Sequence, residues 1–400
     1  VLHLAIEHSY WLCSFIGRQS KKSSAIRKIE INFYTPHSNP CVIPNPMSKR
    51  LIVCCDGTWN QLNDRVPTNL RRLSRLIPSS SSDGTAQLVH YQDGIGTQWY
   101  DKLPGGAFGA GIDGKIQEVY RFLCDRYVAD DEIYLFGYSR GAYTVRSLGG
   151  LIDCVGLLPA DQADQVEAAY SIYRIQNYDK RQATAAEFRS TYQSQRVPIT
   201  LLGCWDTVGA LGIPDLIPNL PFDYWANKPY RFHNIKLSHL IQNALHVAAL
   251  DEQQKVFPLT PMEVPEGSPT RLKQLWFPGN HAIVGSAWGS GLADLTLAWM
   301  VQSVRDFGLG LEFDQAQLNK LQPNPLRPNI PDLYAERRQW RFPFLSILGL
   351  QVRDVHVVPS SDNLQYLFHP SVRDRWCQDG SYRPKCLVDR GWASILDAVC

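Results

Sequence analysis

The stretch Glu132-Ile133-Tyr134-Leu135-Phe136-Gly137-Tyr138-Ser139-Arg140-Gly141-Ala142 sets a short apolar run directly against a glycine-flanked serine. Residues 132–136 predict a buried strand, and the spacing from Ala142 to Ile152 predicts a helix. A strand that turns into a helix through Gly137-x-Ser139-x-Gly141 leaves no room for side chains at the glycines. The same turn pushes the serine oxygen outward above the helix N-terminus, where backbone N–H groups and the positive dipole end gather.

Outward from this turn the chain alternates. Upstream, Leu51 to Cys55 predicts a buried strand that ends in Asp56-Gly57-Thr58-Trp59-Asn60. Asn69 to Ile77 has helical spacing and stops at Pro78. Ala86 to Tyr91 predicts a second strand, ending in Asp93-Gly94, and a glycine-rich loop leads to a helix with Ile116, Val119, Tyr120, Leu123 and Tyr127 on one face. Downstream, residues 157–196 read as a helical insertion. Pro198 to Cys204 predicts a strand before Trp205-Asp206-Thr207-Val208-Gly209. A proline- and aromatic-rich loop or lid follows near 214–232. Ile235 to Leu250 predicts a helix, Leu272 to Phe277 a strand closing in Pro278-Gly279-Asn280-His281, and Leu292 to Phe307 a helix. Beyond residue 310 prolines multiply and the pattern fades. Strands alternating with helices imply an α/β-hydrolase-like fold, with a mostly parallel sheet covered by helices on both faces. In such sheets the chemistry collects beyond the carboxyl ends of the strands, where Asp56, Asp93, Ser139, Asp206 and His281 all fall.

The bulk composition is that of a globular chain. Of 400 residues, 44% are hydrophobic and 20% charged, and the formal net charge is +2. This gives no electrostatic case for a nucleic-acid partner. The 10 cysteines form no C-x-x-C pair, and several lie in apolar runs, so most read as small buried hydrophobes rather than a disulfide framework. A bridge among the late cysteines stays open. No apolar run is long enough to span a bilayer and the first residues lack a basic start, so cytoplasmic residence is the expectation. Residues 1–46 read as an irregular extension ahead of Met47, a candidate native start, and residues 47–400 as one catalytic domain. Intact-mass measurement of the native protein tests that boundary.

A serine needs a base, and the base an orienting acid. In this fold class the chain order is serine, acid, histidine, which Ser139, Asp206 and His281 satisfy. Asp206 alone is also a turn-forming residue. His246, placed inside the expected 235–250 helix, is a weaker base candidate than His281. The backbone N–H of Arg140, with Gly57 or Thr58 from the first strand's loop, is placed to hold an oxyanion. Asp56 and Asp93 read first as loop caps and second as cation ligands. No cofactor and no metal is called for. Most tryptophans near these segments read as core, whereas Pro221-Phe222-Asp223-Tyr224-Trp225, if exposed, suits contact with acyl chains or a membrane surface.

Taken together, the motifs resemble those of a known family. They are Asp56-Gly57-Thr58-Trp59-Asn60, Tyr91-Gln92-Asp93-Gly94-Ile95-Gly96-Thr97, Gly137-Tyr138-Ser139-Arg140-Gly141-Ala142-Tyr143, Trp205-Asp206-Thr207-Val208-Gly209, Leu250-Asp251-Glu252-Gln253 and Trp276-Phe277-Pro278-Gly279-Asn280-His281. The set resembles the uncharacterised α/β hydrolases related to the catalytic domain of type VI secretion phospholipase effectors. The resemblance runs over roughly residues 48–310. It implies a Ser139–Asp206–His281 triad and esterase or phospholipase chemistry on an ester or phospholipid substrate. One departure stands out. The family pattern after the histidine is approximately His-x-Asp-Val-Gly-Gly, and here Ile283 and Ser286 replace its carboxylate and a glycine. The rival expectation is a non-catalytic scaffold of the same fold that binds a lipid or a protein partner, with Ile283 as its main support.

Overall fold

The structure, a computed structural model, describes residues 48–57, 66–94, 106–209, 236–255, 257–286, 291–328, 351–355 and 357–400, with side chains from residue 111 onward in the third stretch. All belong to the compact unit Pro46–Cys400. The expectations for residues 1–46, for Thr58, for the 214–232 loop with its aromatic cluster, and for Trp59, Trp99, Trp225 and Trp288 lie outside the described residues.

Six strands form one parallel sheet in the order β2-β1-β3-β4-β5-β6. They are β1 (Arg50–Cys55), β2 (Gln87–Gln92), β3 (Glu132–Tyr138), β4 (Leu201–Trp205), β5 (Asn243–Ala249) and β6 (Arg271–Phe277). Central strands β1, β4 and β5 are buried at every position, whereas edge strands β2 and β6 are mostly half-exposed. That is the burial expected of a sheet covered on both faces. Alternate residues of β1 feed two cores. Leu51, Val53 and Cys55 pack with helices α2 (Gly106–Arg126), α3 (Arg140–Val155), α4 (Val166–Tyr173) and α5 (Tyr178–Tyr192). Ile52 and Cys54 pack with α1 (Asn69–Leu76) and the long helix that follows β6. The chain is thus a three-layer α/β-hydrolase fold.

After β6 come a short helix α6 (His281–Gly285), the long α7 (Gly291–Asp306) and the single turn α8 (Gln315–Leu318). Caps fix where several helices begin. The side chains of Thr68, Asn177 and Asn280 accept backbone N–H groups of the first turns of α1, α5 and α6. The faded C-terminal region is helical, with α9 (Ser361–Leu367), α10 (Pro370–Gln378), α11 (Lys385–Val388) and α12 (Trp392–Ala398). These helices close a third core around Trp376, Tyr382 and Trp392 that reaches Leu250, Ile283 and Leu292. Cys377 and Cys400 form a disulfide, and Cys54, Cys55, Cys124, Cys154, Cys204 and Cys386 are free and buried.

One sequence expectation is overturned. The segment 235–250 is not a helix, because Asn243–Ala249 is strand β5 between β4 and β6. Its residues, Asn-Ala-Leu-His-Val-Ala-Ala, are buried throughout, and a strand covered on both faces has no alternation to distinguish it from a buried helix. Helix-favouring alanine and leucine then mislead, since sheet packing outweighs propensity. His246 is therefore a strand residue. Its Nε2 meets Thr207 Oγ1 at 3.0 Å and its Nδ1 meets Gln274 Oε1 at 2.7 Å. Burial pushes this imidazole down to about 4, so it is a neutral, fully bonded core side chain near neutral pH.

Candidate active site

Ser139 sits between β3 and α3 with φ 58° and ψ −121°, a backbone conformation that L-residues adopt at a cost. Its surroundings hold it there. The Ser139 N–H donates to the Trp205 carbonyl at 2.9 Å, and its own carbonyl accepts Val208 N–H at 3.3 Å. The two flanking glycines are sterically required. A Cβ on Gly141 would lie 1.9 Å from the Cys55 carbonyl oxygen, and one on Gly137 would lie 2.5 Å from the Ala142 Cα. The turn therefore works only because β3 passes tightly between the end of β1 and the start of α3.

Three side chains separated by 67 and 75 positions in sequence meet at the carboxyl edge of the sheet. Ser139 Oγ lies 2.8 Å from His281 Nε2, and His281 Nδ1 lies 2.6 Å from Asp206 Oδ2. With Asp206 ionised, Nδ1 carries the proton and Nε2 accepts from the serine hydroxyl. Asp206, fully buried at the end of β4, also accepts the Ala249 N–H at 2.9 Å and an Nη2 hydrogen of Arg353 at 2.8 Å. Burial alone drives the Asp206 carboxyl upward, but the Arg353 charge, the His281 bond and charge, and the Ala249 N–H outweigh it and bring it down to about 2. The acid is thus anionic across the physiological range.

The loop bearing His281 is clamped from β5. Asp251 accepts Gly279 N–H at 2.6 Å and returns its own N–H to the Gly279 carbonyl at 3.0 Å. Glu252 Oε2 accepts the His281 N–H at 3.0 Å. The imidazole is stacked between Phe257 and Tyr138, with ring centroids 4.4 and 5.0 Å away. The Tyr138 hydroxyl donates to the His281 carbonyl at 3.1 Å. Gly285 makes this stacking possible, since a Cβ there would lie 2.0 Å from the Tyr138 ring. The sequence does not single out Asp251, Glu252, Tyr138, Phe257 or Arg353 as site residues. The first two sit directly after β5, a strand-end position that is the one local signal they carry.

Other expected site residues fall as follows. Arg140 opens α3, one residue past Ser139. The Gly57 N–H donates to Asp56 Oδ1 at 2.7 Å, so an oxyanion would have to share that donor. Asp56 is a cap, taking hydrogen bonds from Thr68 Oγ1 at 2.5 Å and from the Tyr91 hydroxyl as well. Asp93 stands at the end of β2, and among the described residues its Oδ1 has no hydrogen-bond partner. Among the described residues no group of three or more His, Cys, Asp and Glu side chains could hold a metal ion. Ile283 is packed in the apolar cluster with Leu250, Leu292 and Val355.

Residues 49–303 match the family profile described as the type VI secretion system phospholipase effector Tle1-like catalytic domain. The chain belongs to this family. The relatives span a wide range. An uncharacterised protein of Saccharomyces cerevisiae is 29% identical over 232 residues, covering 52% of this chain and 32% of that protein. The chain thus spans about a third of its curated relative. Among solved structures, an uncharacterised protein from Pseudomonas aeruginosa aligns at 16% identity and a TM-score of 0.42, over 69% of this chain and 49% of that one. The Tle1 effector bound to the VgrG spike of the type VI secretion system aligns at 15% and 0.34, over 60% and 51%. A thermophilic esterase from Thermogutta terrifontis, with propionate bound, aligns at 12% and 0.35, over 66% and 84%. No helix among the described residues is long and apolar enough to cross a membrane.

Asp251 carries a stability prediction. Burial pushes its carboxyl up to about 6, with the Gly279 and Tyr382 hydrogen bonds pulling the other way. A carboxylate whose folded value lies above its unfolded value contributes stability that is fully present below about pH 4 and lost as pH rises through 6. Between pH 5 and pH 7.5 wild type should therefore lose about 1–2 kcal/mol more unfolding free energy than Asp251→Asn, which mimics the protonated form. Urea titrations of both proteins at the two pH values measure this, and parallel losses would contradict it.

Proposed function

We propose that this chain is a serine hydrolase that cleaves carboxylic esters through an acyl-enzyme. The observation that carries the reading is the continuous hydrogen-bonded chain Ser139–His281–Asp206 at the carboxyl edge of the sheet. His281 Nε2 takes the Ser139 proton as Oγ attacks the ester carbonyl carbon. Asp206 holds Nδ1–H and stabilises the imidazolium. The tetrahedral oxyanion is received by the Arg140 N–H and by the 57–58 loop. Its collapse breaks the bond to the alcohol, which leaves with the proton from Nε2. Water then gives a proton to His281 and attacks the acyl carbon, and Ser139 recovers its proton as the carboxylic acid departs. The test is fluorophosphonate labelling of wild type beside Ser139→Ala, followed by a panel of short-chain and phospholipid esters.

A lipid or phospholipid is the substrate class this reading favours. The family's description points that way, and so does a cavity of about 480 Å³ that follows one face of α3 from Tyr143, a single turn from Ser139, to Cys154. Arg146, Arg181, Arg196 and Lys236 line it, while its one carboxylate, Asp153, already faces Arg196 at 3.7 Å. Such a wall suits an anionic headgroup rather than an acyl tail. The double variant Arg181→Gln, Lys236→Gln should raise KM for phosphatidylglycerol micelles about tenfold or more and leave p-nitrophenyl butyrate hydrolysis unchanged. Equal effects on both substrates would count against a headgroup role for the cavity.

A further inference from the structure

Arg353 is the charged side chain that the hydrolytic reading leaves without a task. It lies 147 positions beyond Asp206 in sequence, in the segment 351–355, and its side chain is 6% exposed. It gives Nη2–H to Asp206 Oδ2, the same oxygen that meets His281 Nδ1. Among the described residues its Nε and Nη1 have no hydrogen-bond partner. A buried guanidinium with two orphaned donors is a poor device for stability, because each unmade bond costs about 1–3 kcal/mol. A buried pair of this kind is retained for something other than folding energy.

We propose that Arg353 is a positioning residue. It pins Asp206 against His281, and its positive charge keeps His281 in the neutral, proton-accepting form down to lower pH than the Asp206–His281 pair alone would allow. The proposal rests on the serine-hydrolase reading and deepens it. The physical reason is charge spacing. Protonating His281 places a second cation on the oxygen that Arg353 already holds, in a region closed to water, and like charges at that range oppose one another by more than they would in solvent. Without Arg353 the imidazolium would face an undivided Asp206 carboxylate.

Other groups also surround His281. Glu252 bonds its N–H and also faces Arg353. Burial pushes the Glu252 carboxyl up, and the Arg353 charge pulls it back. Tyr138 stacks on the ring and donates to the His281 carbonyl, and Ser139 bonds Nε2. Next to Asp206, His246 is neutral above about pH 4, and the charge of Arg146 on α3 also reaches it. Of these, Arg353 alone both bonds Asp206 and carries a permanent charge.

The test follows fluorophosphonate labelling rate against pH, from 5 to 9, for wild type, Arg353→Gln and Arg353→Lys, with folding checked by circular dichroism. Gln keeps a donor for Asp206 and removes the charge, whereas Lys keeps the charge. The pH of half-maximal labelling should rise by about one unit or more in Arg353→Gln. At pH 6 that variant should then label about tenfold more slowly relative to its own plateau than wild type does. Arg353→Lys should stay near the wild-type midpoint, and a Glu252→Gln background should leave the shift in place. A lower plateau with an unmoved midpoint in Arg353→Gln would show a structural role and overturn the proposal. So would a folded Arg353→Lys protein whose midpoint rises by a unit, which remains decisive if the Gln variant does not fold. Wild type that takes no label at any pH would instead remove the hydrolase reading on which the proposal stands.

Discussion

Ser139→Ala is expected to abolish fluorophosphonate labelling and to slow hydrolysis of a p-nitrophenyl ester by at least about 10³-fold. The loss is so large because the hydroxyl 2.8 Å from His281 Nε2 is the one group in the chain Ser139–His281–Asp206 that can attack a carbonyl. Alanine leaves the imidazole, its acid and the backbone donors at the head of α3 in place. Residual rate above the uncatalysed reaction would then come from binding and oxyanion stabilisation alone. The variant should remain folded. Position 139 has φ 58° whichever of the two side chains it carries, so the backbone cost is common to both, and one hydrogen bond is worth about 1 kcal/mol. A Ser139→Ala protein with a wild-type melting curve and wild-type labelling would mean that the nucleophile is another residue. A folded wild type that takes no label would return attention to the scaffold alternative.

Much of this site is legible in the sequence, for a specific reason. Ser139, Asp206 and His281 each follow a short apolar run, and in a parallel sheet the ends of such runs converge on one edge whatever their separation in sequence. The glycines of the serine turn are legible too, since their need is local. Sequence pattern fails at β5, where full burial removes periodicity. It also fails at contacts that only tertiary structure creates. Nothing near Asp251 and Glu252 in sequence announces that they clamp a loop 28 and 29 positions away. Arg353 comes from a stretch where prolines hide any pattern, and its partner lies at the end of a central strand. Ile283 shows the converse error. A missing carboxylate beside a candidate histidine suggests an altered site, yet the side chain is part of the apolar cluster that joins α6 to the C-terminal helices.

Asp206→Asn should damage the protein twice, in ways that separate by experiment. An amide keeps the shape of the carboxylate but replaces one acceptor oxygen with an NH₂ donor. Oδ2 now accepts from both His281 Nδ1 and Arg353 Nη2, and Oδ1 from Ala249. An asparagine that turns its NH₂ toward the shared position meets two donors. One that turns it away sets a donor against the Ala249 N–H. His281 is then free to take the other tautomer, with the proton on Nε2, where it can no longer accept from Ser139. Activity should fall by about 10³–10⁴-fold, with the loss greatest at neutral pH, where a correct tautomer matters most. Stability should fall as well, because Arg353 loses its anion inside the protein. Breaking a buried ion pair from one side costs on the order of 3–5 kcal/mol. Adding Arg353→Met to Asp206→Asn removes the stranded charge, so the double variant should regain part of the lost melting temperature and none of the activity. Urea or thermal denaturation, read beside labelling rates for the four proteins of the cycle, makes the distinction. If Arg353→Met fails to restore any stability to Asp206→Asn, the two side chains are not coupled in the way their shared oxygen requires.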